Sequence, residues 1–463
     1  MTDQNKIHAG IYWHGEKIGA CDILSDDKVL WQGFTNPEYE KLFTITARNT
    51  GTGTPAFLQN LLPESDIFAH LSQTSRFNYV AFGMHFLSNF YILTGAENKH
   101  EIIVDRLEGK LGNFTNKDGF FTGHYEGPDP VPGDADFQRT VSEYWKNRQT
   151  ARFSGRETKI PANLNAEGHL VPATNKAFTH FVKFPQTDDT NFYPWGINEW
   201  MCMQIARDSG LKVADTALLP LQNGLPPALL VERFDIPDEK TDDNKTKILM
   251  QDFCSLNDIP PSKKYNGSIE QLGKKISEIS LNHGEEKENI RELIKRYLVS
   301  YLVNDIDMHR KNISMVESYG SSEHALKSVK LSPAYDITSS VYTADPGINI
   351  QPLSLSGKQA RFKREDFISF GQKHGLDAEE VNELLTQTIR RAMDSAVKLH
   401  GHVTKNIAQD TGSNYVSNRI ATIVLTNAKY LGEELDYDPG FQPLAPVKRG
   451  QKPSLTRFRS GFN

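Results

Sequence analysis

The nine residues N-D-I-D-M-H-R-K-N, Asn304 to Asn312, hold seven polar or charged side chains directly after an apolar helical stretch. Asp307 and Asn312 stand five apart. With that spacing a catalytic loop offers one carboxylate to a substrate hydroxyl and one amide oxygen to a magnesium ion. Asp336, in L-S-P-A-Y-D-I-T, follows Asn312 by 24 residues. A hard cation held by one or two protein oxygens and by substrate phosphates would take Asn312 and Asp336 as ligands and leave Asp307 as base. By spacing alone, Asp305, Asp307 and Asp336 read equally well as caps of helices and turns.

Upstream, R-F-S-G-R-E-T-K-I-P (Arg152 to Pro161) sets a Ser154-Gly155 turn before a strand carrying Lys159. Backbone amides in such a turn can cradle phosphates. Lys183 lies in the alternating strand H-F-V-K-F-P, and Glu199 opens the next helix in I-N-E-W-M. A buried lysine and glutamate would hold nucleotide phosphates; an outward strand lysine and a first-turn acid favoured by the helix dipole are the plain alternatives. A-L-L-V-E-R-F-D-I ends an apolar strand at Glu232-Arg233-Phe234, where backbone groups and an apolar wall could meet adenine, or where an ordinary buried strand could simply stop.

The elements that must position these residues are legible in outline. Residues 7 to 34 read as antiparallel hairpins, and Thr54 to Phe86 as helices. Gly112 to Arg152, dense in Gly, Pro and Asp, reads as a loop or linker. Strands are expected at Thr158 to Leu164, Phe178 to Phe184, Val213 to Leu221 and Ala228 to Phe234, with a helix at Gly196 to Ser209. Helical signals dominate from Met250, with a broad apolar stripe over Asn289 to Val303 and a further helical region over 376 to 435. The final segment, with Lys448, Arg449, Lys452, Arg457 and Arg459, has little to bury.

With 463 residues, 38% hydrophobic and 24% charged, the chain should form two or three packed units. A net charge of -6 gives no field for direct binding to duplex DNA or an anionic membrane. Three scattered cysteines without a C-x-x-C pair fit a reducing cytoplasm. The amino terminus lacks a secretory layout, so the mature chain is expected to start at Met1, and no run approaches the length of a membrane span.

In their shared order these motifs resemble the HipA-like serine/threonine kinases, toxins of bacterial type II toxin-antitoxin modules. The resemblance runs through F-L-Q-N-L-L-P-E-S (Phe57 to Ser65), the Ser-Gly loop with Lys159, V-K-F-P, V-E-R-F-D, D-M-H-R-K-N and A-Y-D-I. It implies an α+β, two-lobed protein-kinase-like fold with an amino-terminal mixed β/α subdomain and a largely helical C-lobe. The corresponding division is 1–112 amino-terminal subdomain, 113–151 linker, 152–249 N-lobe, 250–440 C-lobe and 441–463 basic tail.

The resemblance further implies ATP and Mg2+ as cofactors, a protein substrate such as a translation factor or aminoacyl-tRNA synthetase, and a HipB-like helix-turn-helix antitoxin that alone contacts operator DNA. Carried across, Asp307 is the base, Asn312 and Asp336 the metal ligands, Lys183 the phosphate-binding lysine, and Glu232 and Phe234 the hinge. His309 orders the catalytic loop, which also carries Lys311. Arg152 stands where well-known members carry a serine that becomes phosphorylated, leaving Ser154 as the nearest hydroxyl, and Arg156 and Glu157 also depart from the usual loop. Two other readings stay open: a catalytically silent kinase-like co-repressor, and a small-molecule kinase.

Overall fold

The structure is a computed structural model that describes residues 6–14, 16–24, 29–37, 39, 60, 84–85, 90–93, 109–127, 151–152, 159–173, 178–188, 191–222, 225–236, 247–320, 326–341, 350–407, 411–436 and 440–443. The expected helices of Thr54 to Phe86 lie almost entirely outside these residues, as does most of the basic tail.

The opening hairpins form a four-stranded sheet from β1 (Lys6–Trp13), β2 (Glu16–Leu24), β3 (Val29–Phe34) and β4 (Phe90–Leu93), in the order β3-β2-β1-β4. Its buried face carries Ile11, Trp13, Ile18 and Ile23. A second, six-stranded sheet is built from β5 (His124–Tyr125), β6 (Lys159–Leu164), β7 (His169–Pro172), β8 (His180–Lys183), β9 (Thr216–Leu219) and β10 (Ala228–Glu232), in the order β9-β10-β8-β6-β7-β5. Lys183 sits opposite Lys159, and His180 opposite Glu232.

The stretch expected as a linker departs from that reading over its first part. Phe121 is buried in the core of this sheet together with Leu111, which directly precedes the stretch, and β5 adds to its edge. Asn116 closes a turn by accepting the N–H groups of Asp118 and Phe120, both at 2.9 Å. Two buried anchors separated by a tight turn leave no sustained period, so the segment resembles a loop in sequence while packing as part of the sheet.

The helix α1 (Trp195–Asp208) is buried nearly all round, because it lies between this sheet and the helices that follow. Those are α2 (Ile269–Ile279), α3 (His283–Val303), α4 (Arg364–Lys373), α5 (Ala378–His402) and α6 (Thr411–Tyr430). Asn282 caps α3 by accepting the Glu285 N–H at 2.9 Å, and Asp377 caps α5 through the N–H of Glu379 at 2.8 Å. The helical expectation from Met250 onward needs one correction: β11 (Lys247–Asp252), β12 (Ser314–Tyr319) and β13 (Leu326–Leu331) form a third, antiparallel sheet. Its first and second strands are 62 residues apart at Asp252 and Ser314, which pair in register, so no local pattern joins them.

The amino-terminal sheet docks on this third sheet. His14 and Trp13 both reach the Ile248 carbonyl, at 3.1 and 3.4 Å, and Trp13 meets Tyr319 edge-on. Among the described residues no helix is long and apolar enough to cross a membrane. All three cysteines are buried and none forms a disulfide.

Candidate active site

The loop after α3 is shaped by its own backbone. Asn304 ends the helix in the left-handed region (φ 59°), which an asparagine tolerates. The Asp305 N–H donates to Ser300 O at 2.8 Å, and the Asp305 carboxylate accepts the Asp307 N–H at 3.0 Å. The Asp307 carbonyl then accepts the His309 N–H at 2.8 Å and the Asn312 side-chain amide at 3.0 Å. These bonds bring Asp307 and Asn312 onto one tight turn. The Asp307 side chain is half exposed, with the His309 Nε2 at 3.8 Å and the Tyr265 hydroxyl donating to its Oδ1 at 2.5 Å.

Lys183 is buried, its Nζ donating to both Glu199 oxygens at 2.8 Å and to Asp336 Oδ1 at 2.5 Å. Strand β8 delivers the lysine, the second turn of α1 delivers the glutamate, which is therefore not the first-turn acid that the sequence also allowed, and the loop after Pro333 delivers the aspartate. Asp336 holds φ at 59°, outside the usual range for a non-glycine residue. Burial alone would raise its carboxyl, but the ammonium groups of Lys183 and Lys159, with His309, outweigh that and hold it well below the usual carboxylate range. Asp305 goes the other way. Burial, with Asp307, Asp336 and Glu199 as like charges, pushes its carboxyl far up against the single opposing Asp307 N–H.

At the end of β10, the buried Glu232 carboxylate accepts the Leu111 N–H at 2.7 Å and lies 3.4 Å from Lys110 and 3.7 Å from His180. Burial works to raise this carboxyl, yet those partners keep it below its ordinary value. The Glu232 N–H donates to Asp215 O and the Arg233 N–H to Thr179 O, both at 2.9 Å. Arg233 forms a two-pronged bond to Asp235, and the Phe234 ring packs on Tyr335 at 5.8 Å.

The structure therefore brings Lys183, Glu199 and Asp336 into one cluster, with Lys159 and His309 close enough to act on the Asp336 carboxyl. Asp307, His309 and Asn312 share the adjoining loop. The Lys311 ammonium is buried and donates to Asn60 O at 3.0 Å, so it ties the loop to the one described residue of F-L-Q-N-L-L-P-E-S. Ser154 and Gly155 lie outside the described residues.

Asp305 anchors the Asp307 N–H, the turn-capping role its position allowed. The sequence did not single out three other residues of this site: Asn198 ties α1 to the Asp336 loop, Tyr265 reaches Asp307, and Tyr335 donates to Lys311 O at 2.9 Å. A polar Asn198 inside the apolar run of α1 was the one local signal.

These features define an α+β protein with a two-lobed kinase-like fold. The family described as HipA-like C-terminal domain matches residues 151–396, more than half of the chain, and the chain belongs to that family. It is similar to Y4dM of Sinorhizobium fredii, described as a candidate kinase, at 25% identity over 353 residues, which cover 73% of this chain and 75% of the relative. It is also similar to Y4mE of the same organism, again a candidate kinase, at 24% identity, over 60% of this chain and 62% of the relative. Among solved structures, HipA of Shewanella oneidensis MR-1, determined with HipB and its operator DNA, superimposes with a TM-score of 0.58 at 17% identity over 92% of this chain and 97% of that one.

Proposed function

We propose that this protein is a cytoplasmic, ATP- and Mg2+-dependent serine/threonine protein kinase, the toxin of a toxin-antitoxin pair, neutralised by a HipB-like helix-turn-helix antitoxin. The observation that carries this reading is the buried Lys183 ammonium held jointly by Glu199 and Asp336. A strand lysine paired with a helix glutamate, beside a loop carboxylate that can take Mg2+, is the arrangement that phosphate positioning in kinases requires.

The donor set fits the cofactors. Asp336 and the Asn312 amide oxygen are hard donors suited to Mg2+, which when bound neutralises triphosphate charge. Asn312 spends its N–H on the Asp307 carbonyl, so its oxygen remains an acceptor. Lys183 orients phosphate oxygens, and Lys159 adds a second positive charge beside Asp336. The Ser154-Gly155 turn would supply backbone amides. Asp307 orients the acceptor hydroxyl and takes its proton, and His309 and Lys311 hold the loop in shape. The N–H groups of Glu232 and Arg233 are spent inside the sheet, so adenine would meet the hinge at Phe234 and at hinge carbonyls, against the wall that Phe234 shares with Tyr335.

The antitoxin would engage the amino-terminal unit, residues 1–112, and operator DNA would be reached through it, since a net charge of -6 disfavours direct contact with phosphates. The test is phosphosite mapping after incubating the chain, with MgATP, in cell lysate beside Asp307→Asn. New phosphoserines or phosphothreonines confined to the unmodified chain support the reading; identical maps from the two proteins sink it.

A further inference from the structure

Tyr265 occupies a position that the proposed reaction does not use. It sits in K-K-Y-N-G, on the turn leading into α2, and its hydroxyl donates to Asp307 Oδ1 at 2.5 Å. The turn is fastened on both sides of the tyrosine by one catalytic-loop residue. The Arg310 N–H donates to Lys264 O at 3.1 Å, and the Arg310 Nε donates to Asn266 O at 2.7 Å. Gly267 completes the turn at φ 137°, where a Cβ would run into the Arg310 guanidinium. The phenol ring stands edge-on to His309, 5.0 Å between centroids, with the Lys264 ammonium 5.2 Å over it. The contact with Asp307 is thus built by the loop that carries Asp307, although both side chains are about half exposed.

A hydroxyl donating to the base carboxylate stands where a phosphate acceptor must stand. We propose that Tyr265 is an acceptor-site guard and specificity determinant: its phenol holds Asp307 until a protein substrate displaces it. This rests on the kinase reading above. Water or free serine would exchange one hydrogen bond for another and gain nothing, while the tethered phenol enjoys a high local concentration. A polypeptide acceptor brings further contacts and so can win the exchange. The guard therefore suppresses hydrolysis of bound ATP and excludes small hydroxyl compounds.

Tyr265→Phe removes the hydroxyl and keeps the ring on His309. MgATP affinity by calorimetry, and ATP hydrolysis without protein acceptor, are measured for both proteins. The expected result is unchanged affinity with hydrolysis raised about tenfold, the worth of one net hydrogen bond, and the same rise in Tyr265→Leu. Equal hydrolysis at equal affinity, or phosphate found on Tyr265 itself, overturns the guard and leaves the kinase reading intact. Absence of MgATP binding in the unmodified protein overturns both.

Discussion

Asn198 and Ser339 exchange two hydrogen bonds, the Asn198 amide donating to Ser339 O and the Ser339 N–H donating to Asn198 Oδ1, each at 2.8 Å. Asn198 precedes Glu199 on α1, and Ser339 follows Asp336 by three residues. The Ser339 hydroxyl also donates to Val303 O, at 2.6 Å, in the last turn of α3. The helix bearing Glu199, the loop bearing Asp336 and the helix leading to Asp307 are thereby fixed to one another, so the Lys183 cluster has a rigid frame.

Replacing Asn198 by Leu keeps the branched outline of the side chain but leaves a buried N–H and a buried C=O without the Asn198 amide. Each such group costs about 1–3 kcal/mol. Denaturant unfolding should show Asn198→Leu destabilised by about 3 kcal/mol, and phosphoryl transfer should fall more than MgATP affinity, because alignment is lost while charges remain. A variant as stable and as active as the parent would show that the paired bonds do not hold the frame.

Lys183→Met sets Glu199 against Asp336 with no cation between them. Removing one partner of a buried ion pair costs about 3–5 kcal/mol, and the Asp336 carboxyl, now held low chiefly by Lys183, should move up. The expected outcome is loss of MgATP binding by calorimetry together with a lower thermal midpoint. Asp336→Asn keeps the Lys183–Glu199 pair and should be the more stable of the two, with transfer reduced about 100-fold or more.

The parts of the site that could be read from sequence are those whose signal is local. The D-M-H-R-K-N loop stands out by its polarity after the apolar α3, whereas Lys183 lies in the alternating strand H-F-V-K-F-P and gains its meaning only from the motifs around it. The helix expected at Gly196 to Ser209 spans Trp195–Asp208, and α3 begins before its apolar stripe because Asn282 caps a polar first turn. Tyr265 could not be found this way. It lies 42 residues before Asp307, and Y-N-G reads as a turn whatever the tyrosine touches. The third sheet failed in part for a similar reason, since β11 pairs with a strand 62 residues further on, although β12 and β13 are neighbours in sequence.

Glu232 gives an acid-stability prediction. Its carboxyl is held below 4.5 in the folded chain, with the Leu111 N–H, His180 and Lys110 outweighing burial. A depressed carboxyl contributes stability that is full above the unfolded value and is lost as pH falls through the folded one. Urea midpoints between about pH 3 and pH 6 should therefore drop more steeply for the parent than for Glu232→Gln, whose amide can still accept the Leu111 N–H. Parallel acid limbs for the two proteins would remove Glu232 as the anchor of the 109–127 segment.

Glu317 predicts the opposite sign. It is buried on β12, accepts the Tyr319 hydroxyl, and lies beside the seam where Trp13 of the amino-terminal sheet meets Tyr319. Burial raises its carboxyl from 4.5 to about 7, with the Tyr319 hydrogen bond opposing. The folded chain therefore keeps a proton that the unfolded chain releases above 4.5, and stability is full below that value and lost as pH rises to 7. The shift corresponds to about 3 kcal/mol. Glu317→Gln, neutral at every pH and still able to accept from Tyr319, should match the parent near pH 4 and exceed it by about 3 kcal/mol above pH 7. Chemical denaturation at the two pH values measures the difference, and a constant offset between the proteins would mean that Glu317 does not titrate in this range.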